Sequence, residues 1–232
     1  MKQKRILIPT EYITSWKSLL AEPDRQWRTG YSAMMTAQSW ETAGGLPPEI
    51  KTAFAESEGD YFSNLELLIA IPEYKTDLKG GRRPSQSDVF VLLRSDIGLL
   101  VVTVEAKARE DFGQTMAQWR YAVSDEGYTK RLRHIIENTG LEKPVPDHIR
   151  YQLLHRTASA VIEAKRFHCN AAVMLVQSFV ESDAENHFED YADFIGLYGA
   201  MPAKDQTIFL ADIDGIKLFS AWVYTPVGDA YH

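Results

Sequence analysis

Two short apolar runs dominate the middle of the chain. Residues 89–93 and 99–104 are rich in β-branched side chains, and residues 95–98, Ser-Asp-Ile-Gly, offer turn chemistry between them. Short apolar runs separated by a few turn residues are typical of a β-hairpin. The pattern therefore predicts two antiparallel strands at the centre of the fold.

The register of this hairpin brings three charged residues to one end. With Asp96 and Ile97 as the central turn residues, Asp88 lies directly opposite Glu105. Opposed residues hold their Cβ atoms about 5 Å apart, and like charges there are destabilising unless a cation lies between them. Alternation along the second strand places Lys107 on the same face as Glu105.

Two carboxylates and an ammonium at one end of a hairpin suit a hard divalent cation. Mg²⁺ binds a few carboxylate oxygens, keeps several waters and often completes its shell with a substrate phosphate. Such a cation polarises a phosphoryl oxygen and lowers the pKa of a bound water, while Lys107 orients that water or neutralises developing charge. These residues predict phosphodiester hydrolysis. The alternative is that they are ordinary charged residues at the exposed end of a hairpin, with Lys107 in a salt bridge.

The chain contains a second copy of the Glu-Ala-Lys triplet, at residues 163–165. It lies in YQLLHRTASAVIEAKRF, whose apolar residues recur every three to four positions, as on a helix. We expect this copy to lie on a solvated helix face. The first copy differs because it ends a predicted strand and has a partner in Asp88.

Asp88 followed by Glu105-Ala106-Lys107 resembles the D…(D/E)-x-K signature of the PD-(D/E)xK nuclease superfamily, which has the restriction-endonuclease-like fold. The wider run from LELLIAIPEYK to YQLLHRTASAVIEAKRF resembles an uncharacterised bacterial family placed in that superfamily. This likeness covers most of the chain. It implies an α/β domain with a mixed central β-sheet flanked by helices, and it implies no particular substrate. It also implies that Asp88, Glu105 and the Ala106 carbonyl bind Mg²⁺ or Mn²⁺, and that Lys107 positions the attacking water.

The resemblance suggests further site residues. Superfamily members often carry a metal-facing glutamate on the first core helix, and Glu41 is the residue that matches it; a surface position for Glu41 and a rival in Glu66 remain open. The helix after the E-x-K strand commonly donates polar groups toward the substrate, which makes Gln118 a candidate.

Polar residues on the predicted helix from residue 148 to 167 form a candidate substrate wall. Gln152 and His155 are three positions apart and share a helix face, and with Arg156 they match polar positions of the resembling family. His155 is either a general acid for the leaving group or a hydrogen-bonded structural histidine. Arg82 and Arg83 precede the first strand of the hairpin, and we predict them as the first phosphate contacts unless they lie on a solvated face.

The chain is predicted to form a single domain over residues 1–232. Residues 1–30 are an N-terminal helical addition, residues 31–180 the core, and residues 181–232 a C-terminal helix and hairpin. Two details of the core can be checked directly. The first strand is predicted to end at Pro72, and Val123 is predicted to face inward on the helix after the hairpin.

Composition places the chain among ordinary globular proteins. Of its 232 residues, 45% are hydrophobic and 25% are charged, which suits one good-sized core. The single cysteine, Cys169, excludes an intramolecular disulfide and suits a reducing compartment. No stretch approaches the roughly 18 apolar residues of a membrane span, and the N-terminal sequence lacks the apolar core of a signal peptide. We therefore expect a cytoplasmic protein without a membrane partner.

Charge narrows the choice of nucleic-acid partner. The net charge of −7 counts against a protein that coats duplex DNA, because such proteins use broad basic surfaces. The leading prediction is a metal-dependent nuclease. The alternatives are a catalytically inactive nuclease-fold module that binds a partner, and a phosphohydrolase that takes a small nucleotide into a closed pocket. The sequence leaves open whether the substrate is DNA or RNA and whether a homodimer is needed.

Overall fold

The computed structural model describes residues 12–57, 59–81, 83–123, 125–142, 144–182 and 187–226. Two short 3-10 helices are Ile13–Leu19 and Asp60–Phe62. The α-helices are α1 (Pro23–Gln26), α2 (Ser32–Ala43), α3 (Pro48–Ala55), α4 (Met116–Ala122), α5 (Asp125–Thr139), α6 (Tyr151–Arg166) and α7 (Phe188–Gly196). The strands are β1 (Glu66–Thr76), β2 (Ser85–Ser95), β3 (Gly98–Lys107), β4 (Ala171–Ser178), β5 (Gln206–Ile213) and β6 (Ile216–Tyr224).

These six strands form one mixed sheet in the order β1-β2-β3-β4-β6-β5. The first three strands are antiparallel, β4 is parallel to both β3 and β6, and β5 is antiparallel to β6. Parallel neighbours such as β3 and β4 require a long crossover connection, and the segment containing α4, α5 and α6 supplies it. The predicted α/β class with a mixed central sheet flanked by helices is confirmed.

The β2–β3 hairpin has the predicted register. Ser95 pairs with Gly98, which leaves the predicted two residues in the turn, and the pairing continues without a bulge to Val89 and Val104. Asp88 is the next residue beyond the last backbone pair. The polar end of the hairpin therefore lies where the alternation of the two strands predicted it.

Each face of the sheet carries a hydrophobic core. Helices α4 to α7 cover one face, with α6 packed along β3 and β4. The first 3-10 helix, α2 and α3 cover the other face. A strand covered on both faces must be apolar on both, and β4 is buried at every position. The sheet is thus held rigidly between two helical layers, and the ends of its strands can position a site.

Three local predictions were wrong. The first strand does not end at Pro72 but continues to Thr76, because β1 is an edge strand and tolerates a residue without an N–H donor. Val123 follows the end of α4 and is exposed, since this helix is shorter than its apolar pattern suggested. Glu163 lies on a helix as expected, but it is buried and accepts a hydrogen bond from the Tyr74 hydroxyl at 3.2 Å.

A buried arginine fastens the loop between β1 and β2 to α5. The guanidinium of Arg131 donates to the carbonyl oxygens of Leu78 and Arg83, both at 2.8 Å, and to the Tyr151 hydroxyl at 3.0 Å. Gly80 in this loop has a φ of +86°, and a Cβ atom there would lie 2.4 Å from the backbone nitrogen of Arg131. Only glycine fits so close an approach, and the backbone at Gly80 is therefore held against α5.

Candidate active site

A polar cleft of about 380 Å³ opens at the end of the β2–β3 hairpin. Its floor is made by side chains near the ends of β1, β2 and β3, and the first turns of α6 form one wall. The acidic, basic and amide side chains on these surfaces are Glu73, Gln86, Asp88, Glu105, Lys107, Gln152 and Arg156. The three residues of the predicted triad thus share one cleft with two members of the predicted substrate wall.

Three carboxylates form a row across three neighbouring strands. Asp88 and Glu105 occupy opposed positions just beyond the last pair of the β2–β3 ladder. The β1–β2 pairing is regular on both sides of Glu73 and Asp88, which makes these two residues opposed as well. The row Glu73, Asp88, Glu105 therefore crosses the sheet at a single level, and its first member, Glu73, was not predicted from the sequence.

An unusual backbone conformation accompanies Glu73. Its φ is +52°, in the left-handed region that non-glycine residues rarely adopt and that commonly occurs at functional sites. The side chain lines the cleft, where Gln86 donates a hydrogen bond to Glu73 Oε2 at 2.6 Å. Glu73 directly follows Pro72, the residue at which the sequence pattern had ended the strand.

Asp88 is held by the neighbouring strand. Its Oδ2 accepts a hydrogen bond from the Ala106 N–H at 2.6 Å. This hydrogen bond continues the contact between the two strands beyond their last backbone pair, Val89 and Val104. This contact fixes Asp88 beside the Glu105-Ala106-Lys107 segment, the arrangement that the predicted metal site requires.

Glu105 lies at the centre of a buried ionic network. The side chain is 3% exposed, and its Oε1 accepts hydrogen bonds from Lys107 Nζ at 2.8 Å and from Gln152 Nε2 at 2.6 Å. Its Oε2 accepts from Arg156 Nε at 2.5 Å. Thr103 ties α6 to this strand by donating to the Arg156 carbonyl oxygen at 3.2 Å. Both carboxylate oxygens are therefore paired with a cation.

His155 supports this network from outside the lining of the cleft. Ser85 Oγ lies 2.9 Å from His155 Nδ1 and accepts a hydrogen bond from Arg156 Nη1 at 2.8 Å. Burial and the positive charge of Arg156 hold the pKa of His155 well below its usual range. A neutral imidazole in this position fits the structural role that the sequence had left open, because a general acid must carry the proton it donates.

The crowding of carboxylates separates their pKa values. Burial, followed by the charges of Glu105 and Glu73, holds the pKa of Asp88 well above its usual value. Burial also raises the pKa of Glu73, to about 7. Burial acts on Glu105 in the same sense, but Arg156 and Lys107 outweigh it and lower the pKa. Near neutral pH, Glu105 is ionised and Glu73 is partly protonated, and a bound cation would favour the ionised forms of Glu73 and Asp88.

The raised pKa of Glu73 has a measurable effect on stability. The pKa of Glu73 is about 7 in the folded protein, above the ordinary value of 4.5. Its protonation therefore favours folding below about pH 4.5, and this contribution is lost as pH rises through 7. We expect the unfolding free energy of the wild type, relative to Glu73→Gln, to fall by about 3 kcal/mol between pH 4.5 and pH 7.

Urea unfolding of both proteins at matched pH values checks this expectation. His155 acts in the opposite sense because its pKa is lowered, so the difference between the wild type and Glu73→Gln is the informative quantity. A difference that stays constant or grows with pH would contradict the protonation of this cleft. Mg²⁺ at millimolar concentration should reduce the fall, since a bound cation stabilises the ionised carboxylates.

Other predicted site residues lie elsewhere. Glu41 accepts a hydrogen bond from the Trp16 indole at 2.8 Å and is not among the residues that line the cleft. Its rival Glu66 pairs with Arg94 at the far end of β1. Gln118 accepts from the Thr115 N–H at 2.9 Å and completes a capping box at the start of α4.

Of the two predicted phosphate contacts, Arg82 and Arg83, only Arg83 lies within the described residues. The side chain of Arg83 is exposed in the loop before β2, and its carbonyl oxygen accepts the hydrogen bond from Arg131. Arg83 is not among the residues that line the cleft. Arg82 lies outside the described residues.

The N-terminal addition forms a further wall of the cleft. Leu20, Ala21, Arg25 and Gln26 line this side. The segment is anchored by Trp16, which is 2% exposed. Sequence patterns did not indicate this wall, because it depends on contacts between distant parts of the chain and not on any local motif.

Only some of the carboxylates in the row are placed to bind a divalent cation. Across the described ranges, no group of three or more His, Cys, Asp or Glu side chains is arranged to hold a metal ion. Within the row, both oxygens of Glu105 are paired with cationic side chains. Mg²⁺ in phosphoryl-transfer sites is commonly held by one or two carboxylates, waters and substrate phosphate. Asp88 and Glu73 fit that mode, since their raised pKa values mark a place where added positive charge is favourable.

Comparison with known proteins identifies the family of the chain but gives no function. A family described as "Domain of unknown function (DUF6946)" matches residues 9–227, so the chain belongs to this family. No curated protein and no solved structure gives a match. Within the described residues, none of the helices combines the length and apolarity that crossing a bilayer requires.

Proposed function

We propose that this member of the DUF6946 family is a metal-dependent nuclease that hydrolyses phosphodiester bonds in nucleic acid. One observation carries the proposal. The carboxylates of Glu73, Asp88 and Glu105 and the ammonium of Lys107 lie in one cleft near the ends of strands β1, β2 and β3. Fold alone gives no function. The proposal instead depends on this group of side chains, which also resembles the D…(D/E)-x-K signature.

The proposed ligands of Mg²⁺ or Mn²⁺ are Asp88 and Glu73, with Glu105 and the Ala106 carbonyl beside them. A cation held there would polarise a phosphoryl oxygen and lower the pKa of a water molecule. Asp88 is kept in place for this task by its hydrogen bond from the Ala106 N–H. Glu73 is oriented by Gln86 in the same way.

Lys107 is the proposed group that positions the attacking water. Its Nζ lies 2.8 Å from Glu105 Oε1 and 3.1 Å from Gln152 Oε1, and the side chain is 7% exposed. An ammonium held by two acceptors in a buried cleft is preorganised to donate its remaining hydrogen bond and to neutralise charge that develops on phosphate oxygens. Arg156 acts through Glu105 and is a positioning residue.

An assay of nucleic-acid cleavage tests this function. Purified protein is incubated with single- and double-stranded DNA and RNA in the presence of Mg²⁺, Mn²⁺ or EDTA. We expect cleavage of at least one polymer with either cation and none in EDTA. Hydrolysis of nucleotide-sized phosphodiesters without cleavage of any polymer would favour the small-nucleotide phosphohydrolase.

A non-cleaving binding module is the second candidate, because one observation favours it. The buried carboxylate of Glu105 is fully paired with Arg156 and Lys107, so its charge is compensated without a metal ion. A degenerate site could survive as such a structural network. The absence of hydrolysis with every substrate and cation, in protein shown to be folded, would favour this candidate over the nuclease.

A further inference from the structure

A chain of cavities leads away from the catalytic cleft along the start of α2. A second cavity, of about 720 Å³, shares Tyr31 and Glu110 with the cleft. A third cavity, of about 300 Å³, shares Met35 and Phe179 with the second. Shared lining residues mean that these cavities lie next to one another, and we call the series, which begins at the proposed site of hydrolysis, the groove.

The surface of this groove combines aromatic rings with cations. Tyr31, which is 40% exposed, and Tyr224 line the second cavity together with Arg109. The guanidinium of Arg28 lies 5.9 Å from the centre of the Tyr31 ring. Aromatic side chains close to basic ones are typical of sites where bases stack and phosphates meet positive charge.

The acidic residue that lines the second cavity, Glu110, is already held by hydrogen bonds within the fold. Glu110 Oε1 accepts hydrogen bonds from the backbone N–H and the hydroxyl of Ser32, at 2.9 and 2.8 Å. Its Oε2 accepts from the Ala108 N–H at 2.9 Å. This carboxylate caps the start of α2 and compensates its positive end. The other charged residue that lines the second cavity, Arg109, is positive.

We infer that the groove binds a single-stranded segment of nucleic acid and feeds it to the catalytic cleft. The inference rests on the proposed nuclease function and specifies its substrate class. A single strand exposes the faces of its bases for stacking on Tyr31 and Tyr224, whereas a duplex hides them in its own stack. The net charge of −7 agrees with this choice, because a duplex binder relies on broad basic surfaces that an acidic chain supplies poorly.

Binding is tested by fluorescence anisotropy in EDTA, which prevents metal-dependent cleavage. The probes are labelled DNA and RNA strands of about 12 nucleotides and the corresponding DNA duplex. We expect wild-type protein to bind at least one of the single strands about tenfold more tightly than the duplex. The double variant Tyr31→Ala/Tyr224→Ala should weaken single-strand binding by about tenfold or more.

Two control variants separate stacking from folding. Tyr31→Phe/Tyr224→Phe keeps both rings and should retain binding. Tyr121→Ala removes a tyrosine that is 90% exposed on α4, outside the lining of the groove, and should have no effect. Equal affinity for the duplex, no detectable binding of either single strand, or unchanged binding by the double alanine variant would overturn the inference.

Hydrolysis of bis(p-nitrophenyl) phosphate with Mn²⁺ distinguishes the groove from the chemistry. This small diester does not need the groove, so Tyr224→Ala, which changes a residue outside the lining of the catalytic cleft, should hydrolyse it at the wild-type rate. If the wild type binds single strands through the tyrosines but hydrolyses neither the small diester nor any polymer, the groove stands and the nuclease proposal fails. If the wild type hydrolyses the small diester but binds duplexes more tightly than single strands, the nuclease proposal stands and the inference about the groove fails.

Discussion

Asp88→Asn is expected to lower metal-dependent cleavage by roughly 10²- to 10³-fold while leaving the protein as stable as the wild type or more so. Asn keeps the size of Asp and can still accept the hydrogen bond from the Ala106 N–H. It removes the negative charge that the metal needs. The same charge is unfavourable in the protein without metal, because burial and the neighbouring carboxylates raise the pKa of Asp88.

A merely structural role for Asp88 would not separate activity from stability in this way. Cleavage rates and urea unfolding are therefore measured on the same preparations. Lys107→Met should also lose cleavage. Lys165→Met, in the second Glu-Ala-Lys triplet, should retain cleavage, because Lys165 lies on α6 away from the cleft and pairs with the exposed Asp214. Full activity of Asp88→Asn would remove Asp88 from the catalytic group.

Arg156→Met is expected to destabilise the fold by about 3–5 kcal/mol, the usual cost of removing one partner from a buried ion pair. Arg156 is 7% exposed and pairs with Glu105 Oε2. After the substitution, Glu105 keeps Lys107 and Gln152 on its other oxygen but loses half of its charge compensation. The unfolding free energy from urea titrations at pH 7 measures this loss.

Two comparisons show whether the buried charge is the cause. Adding Glu105→Gln to Arg156→Met should cost less than the sum of the two single substitutions, because the double variant no longer buries an uncompensated carboxylate. Arg94→Met breaks an exposed pair with Glu66 and should cost less than about 1 kcal/mol. Similar losses for Arg156→Met and Arg94→Met would argue against a tightly buried network.

The polar end of the central hairpin could be predicted because the relevant signals are local. The turn residues fix the register, and the two-residue alternation then places Asp88, Glu105 and Lys107 without further information. Gln152 and Arg156 were predicted from their positions on one predicted helix together with the family resemblance. The pairing of this helix with β3 was not deducible from its sequence, but the polar positions within an otherwise apolar helix indicated where to look.

Glu73 was missed because its position depends on two non-local facts. The proline before it indicated the end of a strand, whereas β1 lies at an edge of the sheet where proline is tolerated. Its left-handed backbone has no counterpart in the hydrophobic pattern. The register between β1 and β2 is set across a loop of several residues, and turn chemistry alone does not specify it.

The capping role of Gln118 could have been predicted. Thr115 and Gln118 form the T-x-x-Q pattern of a capping box directly before the apolar residues of α4. That local signal was stronger than the resemblance that placed Gln118 toward a substrate. The N-terminal wall of the cleft had no such signal, because it arises from the packing of Trp16 against the body of the fold.

Calorimetric titration of Mn²⁺ and Mg²⁺ into the wild type and Asp88→Asn tests the central claim, a divalent cation in this cleft. We predict that the wild type binds with millimolar or tighter affinity, that binding releases protons and strengthens from pH 6 to pH 8, and that Asp88→Asn abolishes it. Identical titrations of the two proteins, or no binding by the wild type at millimolar concentrations, would contradict the claim and leave the buried network of Glu105 as a structural feature.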